Sequence, residues 1–224
     1  MKAMILAAGL GTRMRPLTLT CPKPLLAAGG KPLIVYHIER LAQAGIRELV
    51  INTAWLGGQI ESALGDGSQF GVSIHYSREG EPLETAGGLR HAQALLGSEP
   101  FLVVNGDIWC ELDFATLPKA PAGLAHLVLV DNPVEHPQGD FCLDANGLVH
   151  SDGEHKLTYA GIGVYRPELL ALLPDEPKLA PLLRAVMTNE QVSGTHFRGC
   201  WWDIGTPARL AQLNDLLHAS GDTP

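Results

Sequence analysis

At 224 residues with 46% hydrophobic content, the chain is long enough for one well-packed domain, and its 25 glycines and 16 prolines are spread rather than bunched. No apolar run is long enough to cross a bilayer, no internal repeat stands out, and a net charge of -8 speaks against a nucleic-acid partner. The charge is unevenly placed. Lys2, Arg13, Arg15, Lys23 and Lys31 all precede the first acidic residue, Glu39, and the other 11 of the 16 basic residues share the rest of the chain with all 24 acidic ones. Such segregation suggests a site for a small, highly charged anion.

In chain order, residues 2–8 read as a buried strand and 32–44 as a helix, with Pro32 in its first turn and Gly45 past its end. ELVINT at 48–53 is the next strand, 56–64 a helix, 72–77 a strand, 87–97 a helix and FLVVN at 101–105 a buried strand. Strand and helix alternating in this way predict an α/β fold, a Rossmann-like three-layer sandwich around a mixed, mainly parallel sheet. The second half is less regular. A strand is expected at 124–130, a hairpin at 141–152 turning on Asn146-Gly147, and a strand at 158–165. Short helices follow at 167–173 and 178–187. An amphipathic helix at 206–219 closes the chain, with Thr206 as N-cap and Pro207 at its first position. No linker separates the halves, so residues 1–224 are read as one domain, a regular half to about 110 for nucleotide and the remainder for a second substrate.

Cys21, Cys110, Cys142 and Cys200 are far apart with no CxxC pair, which predicts reduced thiols, a cytoplasmic setting and no zinc site. The N-terminal apolar run is broken by Gly9 and Gly11 and met by Arg13 and Arg15, unlike a signal peptide.

The stretch LAAGLGTRMRPLT, residues 6–18, raises the question of phosphate binding. It is not a Walker A loop, since Gly30-Lys31 is followed by Pro32. It is not a dinucleotide fingerprint either. Met14 stands where the third Gly belongs, and Pro16, Pro22 and Pro24 forbid an immediate long helix. What remains is a long, cation-bearing loop at the end of the first strand, in which Gly9 and Gly11 let main-chain N–H groups approach phosphate, Arg13 forks onto its oxygens and Lys23 supplies a point charge.

Those residues, G-L-G-T-R-M-R-P-L-T with Lys23-Pro24 beyond, resemble the signature of the sugar-1-phosphate nucleotidyltransferase family. The resemblance implies that Leu6, Ala8, Gly9, Gly11, Thr12, Arg13 and Lys23 bind a nucleoside triphosphate, with Arg13 and Lys23 also catalytic. In VVNGDIW, Asn105-Gly106 read locally is as good a hairpin turn as a strand mouth. The family pattern favours Asp107 as a catalytic Mg2+ ligand and Asn105 as a sugar contact. WWDIGTP matches the family's W-x-D-x-G-T-P and implies Asp203 as the second catalytic, metal-binding carboxylate. EGEPLETAGG resembles the family's base-binding loop, with Glu79 or Glu81 and the backbone of Ala86, Gly87 and Gly88 as base readers, but Glu84 stands where the family has Gly. Asp140, in a G-x-F turn, and Glu154 are the implied sugar contacts. HSDGEH at 150–155 has a metal-like composition but reads better as a polar connection.

The resemblance implies transfer of a nucleotidyl group from the triphosphate to a sugar 1-phosphate, with Mg2+ as cofactor and no protein nucleophile. The form expected is one without the C-terminal β-helix of bifunctional relatives. It most resembles members that use UTP and N-acetylmuramic acid 1-phosphate in cell-wall recycling, ahead of those using GTP with mannose 1-phosphate or dTTP with glucose 1-phosphate. A lactyl carboxylate would want a cation such as Lys156, Arg78 or Arg198. A silent nucleotide-sugar sensor is the non-enzyme alternative, disfavoured by the presence of Asp107, Asp203 and Lys23. Oligomeric state is not read from the sequence.

Overall fold

The computed structural model describes residues 1–172 and 175–219. In order, these form β1 (Lys2–Leu6), β2 (Ala27–Ala28), β3 (Lys31–Pro32), α1 (Leu33–Gln43), β4 (Glu48–Thr53), α2 (Gly57–Leu64), β5 (Ser73–Arg78), α3 (Glu84–His91), α4 (Gln93–Leu96), β6 (Phe101–Asn105) and β7 (Ile108–Cys110). The chain continues with β8 (Ala125–Val130), β9 (Phe141–Leu143), β10 (Val149–His150), β11 (Lys156–Tyr165), α5 (Glu168–Ala171), α6 (Leu179–Met187), β12 (Val192–His196), β13 (Trp201–Asp203) and α7 (Pro207–Ala219).

Nine strands make one mixed sheet in the path β10-β9-β11-β6-β1-β4-β5, with β8 also pairing β11 and carrying β12. Strands β6, β1, β4 and β5 run parallel, and β11 joins antiparallel to β6. Central strands covered on both faces should be apolar at every position. Their middle positions are: Ala3 and Ile5 of β1 face one cluster with Ile34, Ile38 and Ile51, while Met4 faces the opposite one with Val50, Val103, Leu89 and Leu182, and the polar residues Lys2, Glu48, Asn52, Thr53 and Asn105 fall toward the strand ends. This is the expected three-layer architecture, and a third, smaller cluster packs α7 through Leu213 and Leu217 onto Trp109 and Ile204.

The structure departs from the sequence reading in instructive places. The first strand ends at Leu6 rather than Ala8, because Ala7 N–H leaves the ladder and donates to Asn52 Oδ1 at 2.7 Å. The helix expected over 87–97 starts earlier, at Glu84, and breaks at Ala92. Asn105-Gly106 is not a hairpin turn: β6 pairs β1 and β11, and β7 pairs β13 instead. Strands β7, β12 and β13 were not anticipated, being three to five residues long without clean alternation. Of the helix expected at 167–173, Glu168–Ala171 is present and Leu173 lies outside the described residues.

Candidate active site

A cleft of about 440 Å3 opens at the C-terminal ends of β1, β4 and β6, where doubly wound sheets bind ligands. Its phosphate-side wall is the loop after β1, with Leu6, Ala8, Gly9, Gly11, Thr12 and Arg13 all at the surface of the cleft. Gly11 takes φ 60, and a Cβ there would lie 2.8 Å from Thr18 Cγ2, so the turn requires glycine twice over. Thr18 is buried and its hydroxyl donates to Gly11 O at 2.7 Å, which fixes the loop's return.

Lys23 and Asp107 form the floor. Lys23 sits on the 3-10 turn that follows Pro22 and is 7% exposed, with Nζ 2.8 Å from Asp107 Oδ2. Asp107 occupies the turn between β6 and β7. The two-stranded ribbon of β7 and β13 places Asp203 opposite Ile108, and Ile204 N–H donates to Asp107 O at 2.9 Å. Both expected acidic residues are thus held at one short ribbon, Asp107 lining the cleft and Asp203 outside its lining, two residues before Gly205, which borders it. Arg209 of α7 donates through Nη1 to Asp203 Oδ2 at 2.8 Å and to Asp203 O at 3.0 Å, and its Nη2 pairs with Glu135 of the 131–140 loop. The exposed Arg13 guanidinium approaches the same Asp203 oxygen at 4.0 Å. Arg209 escaped the sequence reading, although its place two residues past Pro207 in the matched T-P-A-R segment was the available signal.

The base-side loop corrects part of that reading. Ala86, Gly87 and Gly88 are absent from the lining of the cleft. The N–H groups of Ala86 and Gly87 instead donate to Pro177 O at 2.8 and 3.1 Å, satisfying the start of α3. Glu79 does face the cleft, yet both its carboxylate oxygens are engaged by Asn52 Nδ2 and Leu83 N–H. Glu84 also lines the cleft and holds φ 60, the left-handed conformation natural to the glycine it replaces. Glu84→Gly is therefore expected to stabilise the fold by about 1 kcal/mol, read as a rise of roughly 2–4 °C in Tm. An unchanged or lower Tm would mean that contacts of the carboxylate offset the backbone strain.

Of the residues expected to contact the sugar, Asn105 ends β6 at the cleft. Asp140 and Glu154 are not part of the cleft lining. Asp140 builds its own turn, with Oδ2 accepting from Tyr159 N–H at 2.8 Å and Oδ1 3.0 Å from His136 Nε2. In the 150–155 segment, His150 pairs with Asp144 at 3.1 Å. Arg78 is committed to Glu61 through two hydrogen bonds, so of the cations considered for a lactyl carboxylate, Lys156 at the start of β11 and exposed Arg198 stand without such a pairing among the described contacts.

Behind the floor, His37 of α1 is 1% exposed and donates its Nε2–H to Ile108 O at 2.8 Å, bracing the residue after Asp107. Burial pushes the ring's pKa from its ordinary 6.5 down to about 4, with Arg40 acting in the same direction and the Ile108 bond and Asp107 opposing. The unfolded chain takes up a proton near pH 6.5 that the folded chain refuses until about pH 4. The stability this group contributes above pH 6.5 is therefore lost as pH falls through that window, by about 3 kcal/mol. His37→Gln, which keeps an N–H donor but cannot titrate, should show a smaller loss of Tm between pH 7 and 4.5. Parallel melting curves for the two proteins would exclude His37 as the source.

A glycine-rich loop, a lysine and an aspartate lining a cleft at the strand ends of a doubly wound sheet, with a second aspartate on the adjoining ribbon, fit a phosphate-handling transferase of the α/β class. Residues 2–220 match the nucleotidyl transferase family model, and the chain belongs to that family. It is 52% identical to an N-acetylmuramate alpha-1-phosphate uridylyltransferase of Neisseria meningitidis serogroup B, covering 98% of this chain and 99% of that protein. A protein of the same description from Caulobacter vibrioides is 36% identical over 97% of both chains. Among solved structures, one assigned as a glucose-1-phosphate thymidylyltransferase from Bacillus anthracis superposes with a TM-score of 0.85 over 96% of this chain and 94% of its own, at 23% identity, a likeness of fold. No helix among the described residues is long and apolar enough to cross a membrane.

Proposed function

We propose that the protein transfers the uridylyl group of UTP to N-acetylmuramic acid 1-phosphate, giving UDP-N-acetylmuramic acid and pyrophosphate. The observation that carries this reading is the 52% identity, over nearly the whole of both chains, to a relative of that description. In the reaction a phosphate oxygen of the sugar phosphate attacks the α-phosphorus in line, and the bond to pyrophosphate breaks. Main-chain N–H groups around Gly11 and Thr12 hold the triphosphate, Arg13 steadies the leaving phosphates, and Lys23 carries positive charge to the α-phosphate as negative charge builds there. Asn105, at the end of β6, orients the sugar.

Asp107 and Asp203 suit a Mg2+ ion. Asp107 lines the cleft and Asp203 stands on the adjoining β7–β13 ribbon, an all-oxygen pair of ligands for a cation that would complete its shell with phosphate oxygens and water. When bound, the ion would neutralise phosphate charge. Lys23 and Arg209, paired with Asp107 and Asp203, hold the two side chains in place before any substrate arrives.

The reading sets the reaction in the cytoplasm, where UTP is available and where the four free cysteines would stay reduced, in one functional unit serving cell-wall recycling. Pyrophosphate release from a panel of triphosphates and sugar 1-phosphates tests it. Turnover is expected with UTP and N-acetylmuramic acid 1-phosphate. No turnover with any pair would sink the enzyme reading, and turnover with GTP alone would sink the uridylyl assignment.

A further inference from the structure

The two walls of the cleft are tied together from behind by a relay of side chains. Ala7, the first residue of the phosphate-side loop, donates its N–H to Asn52 Oδ1 at 2.7 Å. Asn52 Nδ2 donates to Glu79 Oε1 at 2.6 Å, and Glu79 Oε2 accepts the N–H of Leu83 at 3.0 Å. Ala7, Asn52, Glu79 and Leu83 all border the cleft, and Asn52 is 4% exposed. The orientation of the amide is forced: a backbone N–H only donates and a carboxylate only accepts, so one end of Asn52 must be oxygen and the other NH2. Space for the relay is made by Gly88, where a Cβ would lie 2.6 Å from Glu79 Oε1 and 3.1 Å from Asn52 Nδ2. That explains a glycine which the sequence suggested for contact with the base.

We propose that Asn52 and Glu79 are positioning residues for the nucleotide: they fix the gap between the phosphate-side loop and the 79–85 loop, so that the triphosphate and its base meet walls already set apart at the right distance. The inference rests on the nucleotide reading of this cleft. Its physical basis is preorganisation, since loop ordering completed during folding need not be repeated at each binding event. A relay that joins the loop at 7–13 to the loop at 79–85 affects the nucleotide far more than the sugar phosphate, which on this reading enters from the side of Asn105.

The test reverses one hydrogen bond. Asn52→Asp sets two carboxylates in contact where a 2.6 Å N–H···O bond stood, and at pH 8 their repulsion opens the relay. KM for UTP should rise about tenfold or more while KM for the sugar 1-phosphate stays within about twofold. Adding Glu79→Gln should restore both values. The introduced amide donates to the introduced aspartate, its oxygen accepts from Leu83 N–H, and the aspartate's other oxygen still accepts from Ala7 N–H. All three bonds survive, with only the middle one turned round.

Amide hydrogen exchange gives a readout independent of turnover. The N–H groups of Ala7 and Leu83 should both exchange faster in the single variant and return to wild-type rates in the double variant. Unchanged exchange at either amide overturns the relay whatever substrate the enzyme uses. Wild-type turnover with UTP combined with an unaltered KM in Asn52→Asp also overturns it, as does a double variant that folds, by its Tm, yet fails to recover. Absence of UTP turnover in the wild type counts against the reading of the cleft, and the exchange rates then decide the relay alone.

Discussion

Asp107→Asn should lower kcat/KM by about 10^3 with only a modest loss of stability, on the order of 1–2 kcal/mol. The amide oxygen still accepts from Lys23 Nζ, so the floor of the cleft keeps its shape, but the charge that would hold a metal cation beside the phosphates is gone. Asp107→Ala should be equally inactive and clearly less stable, because it leaves the Lys23 ammonium buried without a partner, at a cost of about 3 kcal/mol. Steady-state rates with thermal melts of both variants separate the two effects. Near-normal turnover in the Asn variant would remove Asp107 from the reaction.

The second large effect is at the other end of the same pair. Lys23→Met keeps the stem that packs under Gly11 and deletes the charge, and it should cost about 10^2–10^3 in kcat. Its stability should stay within about 1 kcal/mol of wild type. The asymmetry has a physical cause: the Lys23 side chain is 9% exposed and that of Asp107 36%, so the carboxylate left behind is hydrated whereas the ammonium left behind is not. Lys23→Arg is not expected to rescue the rate, since a planar fork does not replace a compact cation in a packed floor. Equal destabilisation by Lys23→Met and Asp107→Ala would contradict this account of the pair.

The regular half of the fold was legible because its strands are short apolar runs buried on both faces, and the nucleotide-side loop because its glycines, cations and prolines act locally. Asp107 and Asp203, 96 positions apart in sequence, were brought together by their motifs. What joins them in space is the β7–β13 ribbon, two three-residue strands with no periodic signal. Asn52, His37 and Arg209 were not singled out for a related reason. Each acts through a long-range partner, and an Asn ending a strand or a His on an apolar helix face looks the same whether or not such a partner exists. The N–H groups of Ala86 and Gly87, expected at the base, are taken by Pro177, about 90 positions away, a partner that no local pattern signals.

The long strand β11 pairs with β9 and β8 at its start and with β6 and β8 at its end, so a single run of backbone ties the strands of the less regular second half to the parallel strands of the first. Such a continuous sheet offers no hinge between the two halves. The two halves cannot open and shut as jaws without breaking sheet hydrogen bonds, and any closing over substrate falls to the loops that border the cleft, at 9–24 and 79–85. Those segments therefore set how quickly substrates enter and products leave, while the chemistry takes place on a stiff base.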